Sequence, residues 1–171
     1  VPALGSLLIQ PIYSLTDTAV VGRIGTEALG GLALATTVLN TLVWVFNFLS
    51  YSTTVRVAVR RGRGDLEGAA SDALQAIWLA LGIGVAVSLV IGVGAPWLLE
   101  LLGNDPLVVA EGTTYLRISL IGVPAMLVVL AGTGYLRGLQ DTTTPLVVSL
   151  ASALLNLVLE LTLVLGLGFD I

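Results

Sequence analysis

The run Ala73–Leu99, ALQAIWLALGIGVAVSLVIGVGAPWLL, holds no charged residue. As a helix it exceeds the about 20 apolar residues that cross the ~30 Å hydrocarbon core of a bilayer. An open sheet of such residues would leave backbone polar groups facing lipid, so the run reads as a membrane-spanning helix. Four further stretches read the same way. Residues 28–55, 118–136 and 142–159 are free of charge, and residues 1–16 run on through Asp17 to Gly22. The predicted spans are Pro2–Gly22, Leu29–Val57, Ala73–Leu99, Leu116–Tyr135 and Pro145–Leu167. The fold class is therefore all-α, a polytopic membrane bundle of five transmembrane helices.

Composition agrees. The 171 residues are 56% hydrophobic and 11% charged, with a mean hydropathy of +1.02. A soluble domain carries about 25% charged residues. A disordered chain would need low hydrophobicity and high net charge instead. All seven basic residues are arginine, and there is no histidine or cysteine. That removes disulfides and thiolate metal sites, and it removes the commonest general base. An enzyme, a tightly held metal and any cofactor are accordingly not expected. A net charge of −4, scattered along the chain, gives no footprint for nucleic acid. The expected surroundings are a lipid bilayer. The chain starts at Val1 and ends at Asp170-Ile171, and it is expected to be one piece of a longer protein.

The connectors Arg23–Glu27, Arg60–Glu67, Leu102–Pro106 and Arg137–Pro145 are rich in Gly, Pro, Asn and Asp, as turns require. The second and fourth, with their flanks, hold Arg56, Arg60, Arg61, Arg63 and Arg137, against Arg23 and Arg117 for the others. The positive-inside rule then places these two connectors, and the N-terminus, in the cytoplasm.

Two acids sit inside apolar spans, Asp17 in the first and Glu160 in the fifth. An acid at the centre of a membrane helix costs about 2.5–3.5 kcal/mol on insertion scales. Leaving water favours the neutral form of an acid, which makes such residues natural proton carriers. Gln10, Tyr13 and Asp17 share one helical stripe, as do Ser149, Ser152, Asn156 and Glu160. Thr36, Asn40, Trp44, Asn47 and Tyr51 form a third on the second span. Two readings fit this spacing. The stripes line a common water-accessible cavity, or their Ser, Thr and Asn groups bond to neighbouring helices. Pro11, six residues before Asp17, marks a kink and a candidate hinge. Pro96 and Pro124 also lie in or near spans, and Gly82, Gly84, Gly92 and Gly94 are candidates for close helix contact. Arg61-Gly62-x-x-Asp65 and Arg137-Gly138-x-x-Asp141 repeat an R-G-x-x-D pattern, read either as a gating element or as turn chemistry.

Four elements in order carry a resemblance. The run Leu15-Thr16-Asp17-Thr18-Ala19-Val20-Val21-Gly22-Arg23-Ile24-Gly25 resembles the D-T-x-x-x-G-x-x-G element of multidrug and toxic compound extrusion (MATE) transporters. Tyr115–Ile118 through Gly122–Ala125 looks like the start of that family's fourth span. The loop from Gly134 to Pro145 is similar to its RGxxDTxTP element. Asn156–Glu160, followed by Gly166-Leu167-Gly168, is similar to its N-x-x-L-D…G-x-G pattern. The style is closest to the DNA-damage-inducible protein F branch.

The resemblance implies a twelve-helix antiporter of two six-helix lobes around a cavity open to each side in turn. It implies export of organic, often cationic, drugs in exchange for H⁺ or Na⁺ across a bacterial or archaeal plasma membrane. Asp17 takes the place of the family's coupling acid, Tyr13 of the aromatic one turn earlier and Asn156 of a polar partner. Glu160 stands where many members have Asp. A Na⁺ site would draw on Asp17, Asn156 and Glu160. Gln10, Asn40, Trp44, Asn47 and Ser152 would line the substrate cavity. This chain would be most of the first lobe, without the second. The rival readings are a lipid-linked oligosaccharide flippase of the same superfamily, which calls for basic residues in the cavity, and a membrane scaffold without transport.

Overall fold

The computed structural model describes residues 26–103 and 105–161, the last six of these by backbone alone. The first expected span lies outside the described residues, and with it Gln10, Pro11, Tyr13 and Asp17. Six α-helices follow in order: α1 (Thr26–Phe46), α2 (Phe48–Gly62), α3 (Leu66–Glu100), α4 (Pro106–Ser119), α5 (Val123–Gly138) and α6 (Thr143–Leu161). A short 3₁₀ turn, Leu120–Gly122, joins α4 to α5.

Among the described residues, three continuous paths are long and apolar enough to cross a membrane: Thr26–Gly62, Leu66–Glu100 and Pro106–Gly138. α6 carries a shorter apolar stretch, Thr143–Leu155. The helix expected to start at Leu116 begins earlier, at Pro106. There the Asp105 carboxylate accepts the Leu107 N–H at 2.9 Å. Proline fits the first helical position because it has no N–H to leave unsatisfied. Within Thr26–Gly62 the break between α1 and α2 falls at Asn47. Its N–H reaches the Trp44 carbonyl at 3.4 Å, a tightened turn that lets the path continue.

The chain divides into two compact units. Gly30–Asp141 is one; the other includes α6 and the first residues of α1. In the first, α2, α3 and α5 pack against one another and α4 packs on α3. Its core is aliphatic and small: Leu49, Val57, Leu99, Leu116, Leu127, Ala80 and Ala95 are all buried.

Two bonds to backbone carbonyls tie these helices together. Pro96 has no N–H, so the Gly92 carbonyl one turn earlier loses its helical partner. The Arg117 Nε of α4 donates to that carbonyl at 3.1 Å. Pro124 sits in the first turn of α5, just after the 3₁₀ turn, where the Leu120 carbonyl accepts the Val123 N–H and, at 2.8 Å, the Ser88 hydroxyl of α3. An unsatisfied carbonyl in hydrocarbon costs several kcal/mol, so the Arg117 bond favours one register of α4 on α3.

Glycine decides how close they come. A Cβ on Gly84 would lie 2.5 Å from the Pro124 Cα, and one on Gly134 would lie 2.4 Å from the Ser50 carbonyl oxygen. A Cβ on Gly138 would meet Val57, and one on Gly31 the backbone of Gly112. Of the four glycines of the third span, only Gly84 makes the expected close contact. Gly82 and Gly94 have nothing within 4 Å, and Gly92 has only a Leu120 methyl at 3.8 Å. Gly82 sits about 200° around the helix from Gly84, which turns it away from the α3–α5 seam. On the outer side of α3, Trp78 (64% exposed), Val90 (73%) and Val93 (83%) form an apolar surface fitted to lipid chains.

Gly84→Ala therefore forces backbone apart and is expected to cost about 1–3 kcal/mol, as overpacking does. Gly82→Ala meets open space and is expected to leave the thermal midpoint unchanged or slightly raised. Thermal unfolding of the purified protein in detergent checks the pair; equal effects would contradict this packing.

Candidate functional site

The polar stripe expected on the second span is present on α1 and α2. Asn40 is exposed, Trp44 is 80% exposed and Tyr51 62%, while Thr36 and Asn47 are half-buried. Asn47 Nδ2 donates to the Tyr51 hydroxyl at 3.4 Å, so these two are brought together across the α1–α2 break. Beside them the Phe46 and Phe48 rings lie 6.2 Å apart at 42°. The stripe is an open face and not the wall of a closed chamber among the described residues. The alternative reading, of hydroxyls bonding to neighbours, holds for Thr54. Its Oγ1 lies 3.0 Å from the Gly134 carbonyl of α5 and 2.8 Å from the Ser50 carbonyl of its own helix. Ser149 and Ser152 are exposed on α6. Asn156 and Glu160 are in α6 by backbone alone, so the expected Na⁺ set lies outside the described side chains.

The charged groups gather at the connectors. α2 ends in a Schellman motif: Gly64 adopts φ +76°, its N–H reaches the Arg61 carbonyl at 2.9 Å and the Asp65 N–H reaches Arg60 at 3.0 Å. α5 ends in the same motif with Gln140 at φ 60°. The Gln140 N–H reaches Arg137 and the Asp141 N–H reaches Leu136, both at 2.9 Å. The repeated R-G-x-x-D pattern is thus one helix stop used twice, with Arg second from last, Gly last and Asp two residues beyond the cap.

Asp65 then starts α3, accepting the Gly68 N–H at 2.8 Å as an N-cap. It also takes Arg60 Nη1 at 2.7 Å. Arg60 Nε turns the other way, to Asp72 at 3.0 Å, and Arg56 Nη2 meets the same carboxylate at 3.1 Å. Asp72 is buried, and two arginines are what make a charge there tolerable. The Arg60 hydrogen bond, helped by the Gly68 N–H, holds the Asp65 carboxyl below its ordinary value. This network was not singled out in the sequence; the four-residue spacing of Arg56 and Arg60, with Asp72 at the edge of the third span, was its signal. Arg117, counted among connector arginines, instead lies in α4 and serves the Gly92 carbonyl.

The two helix stops lie side by side. The Arg61 Nη1 donates to the Leu139 carbonyl at the end of α5. Between them is a cleft of about 370 Å³ lined by Ala58, Arg61, Gly62, Arg137, Gly138 and Gln140.

Asp65 does two jobs that substitution separates. Asp65→Asn keeps an N-cap and loses the ion pair; Asp65→Ala loses both. The expected order of thermal midpoints at pH 7 is wild type, then Asn, then Ala. Because the folded carboxyl is depressed, its contribution is present above about pH 4. It is lost as pH falls through the lowered folded value, so acid should close the gap between wild type and Asn. A gap that persists in acid would contradict the pairing.

Residues 2–162 match the MatE family model. The chain is 31% identical to Protein DETOXIFICATION 44, chloroplastic, of Arabidopsis thaliana, covering 99% of this chain and 35% of that protein. It is 30% identical to DNA damage-inducible protein F of Escherichia coli K12, covering 99% and 37%. A MOP superfamily transporter from Pyrococcus furiosus superposes with a TM-score of 0.88 at 27% identity, covering 99% of this chain and 37% of that one. A crystal structure of MATE in complex with MaD3S gives the same score and identity, covering 98% and 38%. The chain thus spans little more than a third of the length of these relatives. Its membrane-length helices and this kinship make it part of a multi-pass membrane protein, and the chain belongs to the MatE family of multidrug and toxic compound extrusion proteins.

Proposed function

We propose that the full-length protein is a secondary antiporter that exports organic, often cationic, compounds in exchange for H⁺ or Na⁺, and that this chain is most of its first lobe. One observation carries the reading beyond kinship: the open polar stripe of Asn40, Trp44, Asn47 and Tyr51 on an otherwise lipid-length helical path. An amide or phenol facing hydrocarbon is left without partners at a cost. Facing a second lobe across water, the same groups bind. Trp44 and Tyr51 offer ring faces that attract organic cations, and Asn40 and Asn47 offer polar contacts without charge.

The coupling step is assigned to Asp17, with Glu160, Asn156 and Tyr13 as its partners and Pro11 as the hinge beside it. A proton or Na⁺ arriving at these acids would cancel the negative charge that holds a cationic substrate, and so favour release. The orientation places the N-terminus and the two helix stops in the cytoplasm of a bacterial or archaeal cell. Arg23 and Arg117 stand against the five arginines at and beside the second and fourth connectors, which supports that sense.

Asp17→Asn in the full-length protein is expected to abolish efflux while leaving membrane insertion intact; full efflux would overturn the mechanism. Asn40→Ala is expected to weaken substrate affinity about fivefold, the loss of one polar contact of about 1 kcal/mol. Reconstituted vesicles with an imposed proton or sodium gradient distinguish the coupling ion.

A further inference from the structure

The connector ion pairs use some of the arginines and leave others. Arg56 and Arg60 are matched by Asp72 and Asp65. Arg61 and Arg137 have no acidic partner among the described residues. Both line the cleft between the two helix stops, and no acid lines it with them. Asp141, next to Gln140, is not among the lining residues, and it has an interaction of its own.

The cleft is also built, in four respects. The identical helix stop places Arg61 and Arg137 at equivalent positions on adjacent helices. Arg61 is fixed by its bond to the Leu139 carbonyl, so one guanidinium edge is spent and the rest is presented. Gln140 is held in the left-handed region at the cleft edge, where a side chain other than glycine costs about 1–2 kcal/mol. Ala58, Gly62 and Gly138 keep the space between the arginines open.

We propose that this cleft binds a phosphate group, gripped by Arg61 and Arg137 with Gln140 as a neutral donor. Planar guanidinium groups bind phosphate oxygens in pairs. The group comes either from an anionic phospholipid of the leaflet at these helix ends or from free phosphate. The assignment goes beyond antiport and requires only that these helix ends lie at a membrane surface, so loss of efflux in other variants would leave it standing.

The test titrates the purified full-length protein, followed by native mass spectrometry, with phosphatidylglycerol, phosphatidylcholine and inorganic phosphate. The wild type is expected to prefer phosphatidylglycerol. Arg137→Gln is expected to weaken that binding about fivefold, and the double variant with Arg61→Gln more. Arg63→Gln, an exposed arginine outside the cleft, is the control and is expected to change it less than twofold. Displacement of the lipid by inorganic phosphate would make the free ion the occupant of the same cleft; retention would make it the lipid. Unchanged binding in Arg137→Gln, or an equal loss in Arg63→Gln, would overturn the proposal. Arg137→Gln is expected to keep the wild-type thermal midpoint without ligand; a lowered midpoint would make Arg137 structural and overturn its role.

Discussion

A proline inside a membrane helix orphans the carbonyl four residues before it, and hydrocarbon supplies no water to replace the lost amide. In this chain a neighbouring helix meets that demand: Arg117 of α4 bonds the Gly92 carbonyl that Pro96 leaves free. A second bond, from Ser88 of α3 to the Leu120 carbonyl, joins α3 to the turn before α5. Sliding α3 by one residue would break both. The register of α3 is therefore favoured by polar groups, although the core is largely apolar. Apolar packing against lipid-like neighbours gives little reason to choose one register over another.

With the register fixed, small residues determine the separation. Gly84 admits the backbone of Pro124, and Gly134 and Gly138 admit the backbone of α2. Because α2 and α5 are drawn this close and end in the same motif, their last turns emerge together. That places two helix C-termini, with their partial negative charge, side by side. Arg61 answers that charge by bonding a carbonyl of the neighbouring end. The connector chemistry is thus a consequence of the α2–α5 seam.

Much of this was legible in the sequence. Charge-free runs such as Ala73–Leu99 specify helices of membrane length, because lipid admits little else. The polar stripe was legible because a period of 3.6 is visible in the spacing of Asn40, Trp44, Asn47 and Tyr51. Other features depend on which residues meet. Gly82 and Gly84 look alike in the sequence, and only the position of Pro124 distinguishes them. The spacing of Gly134 and Gly138 was an available signal for the tightest seam. Leu116 as a helix start came from counting charge, where Asp105-Pro106, a cap followed by a residue suited to the first turn, decides the matter. Arg117 was read as a connector residue because its partner, a carbonyl freed by Pro96, is invisible without the fold. The proposal of Asp17 as a coupling acid rests on its motif and on the cost of an acid in lipid, and not on described geometry.

Exposure alone does not separate a lipid-facing surface from one that faces a partner or water; polarity does. The outer side of α3 is exposed and carries Trp78, Val90 and Val93, all content in hydrocarbon. The α1–α2 path is exposed along a stripe of amides and aromatic hydroxyls, which are not. The same three-and-four spacing runs on from Tyr51 through Thr54 and Ala58 to Arg61. One edge of a single helical path therefore carries the polar stripe and, at its end, one wall of the arginine cleft. Since Thr54 also reaches the Gly134 carbonyl, this edge is tied to α5 along the way. Any rigid movement of the α2–α5 pair would therefore carry Tyr51, Arg61 and Arg137 together.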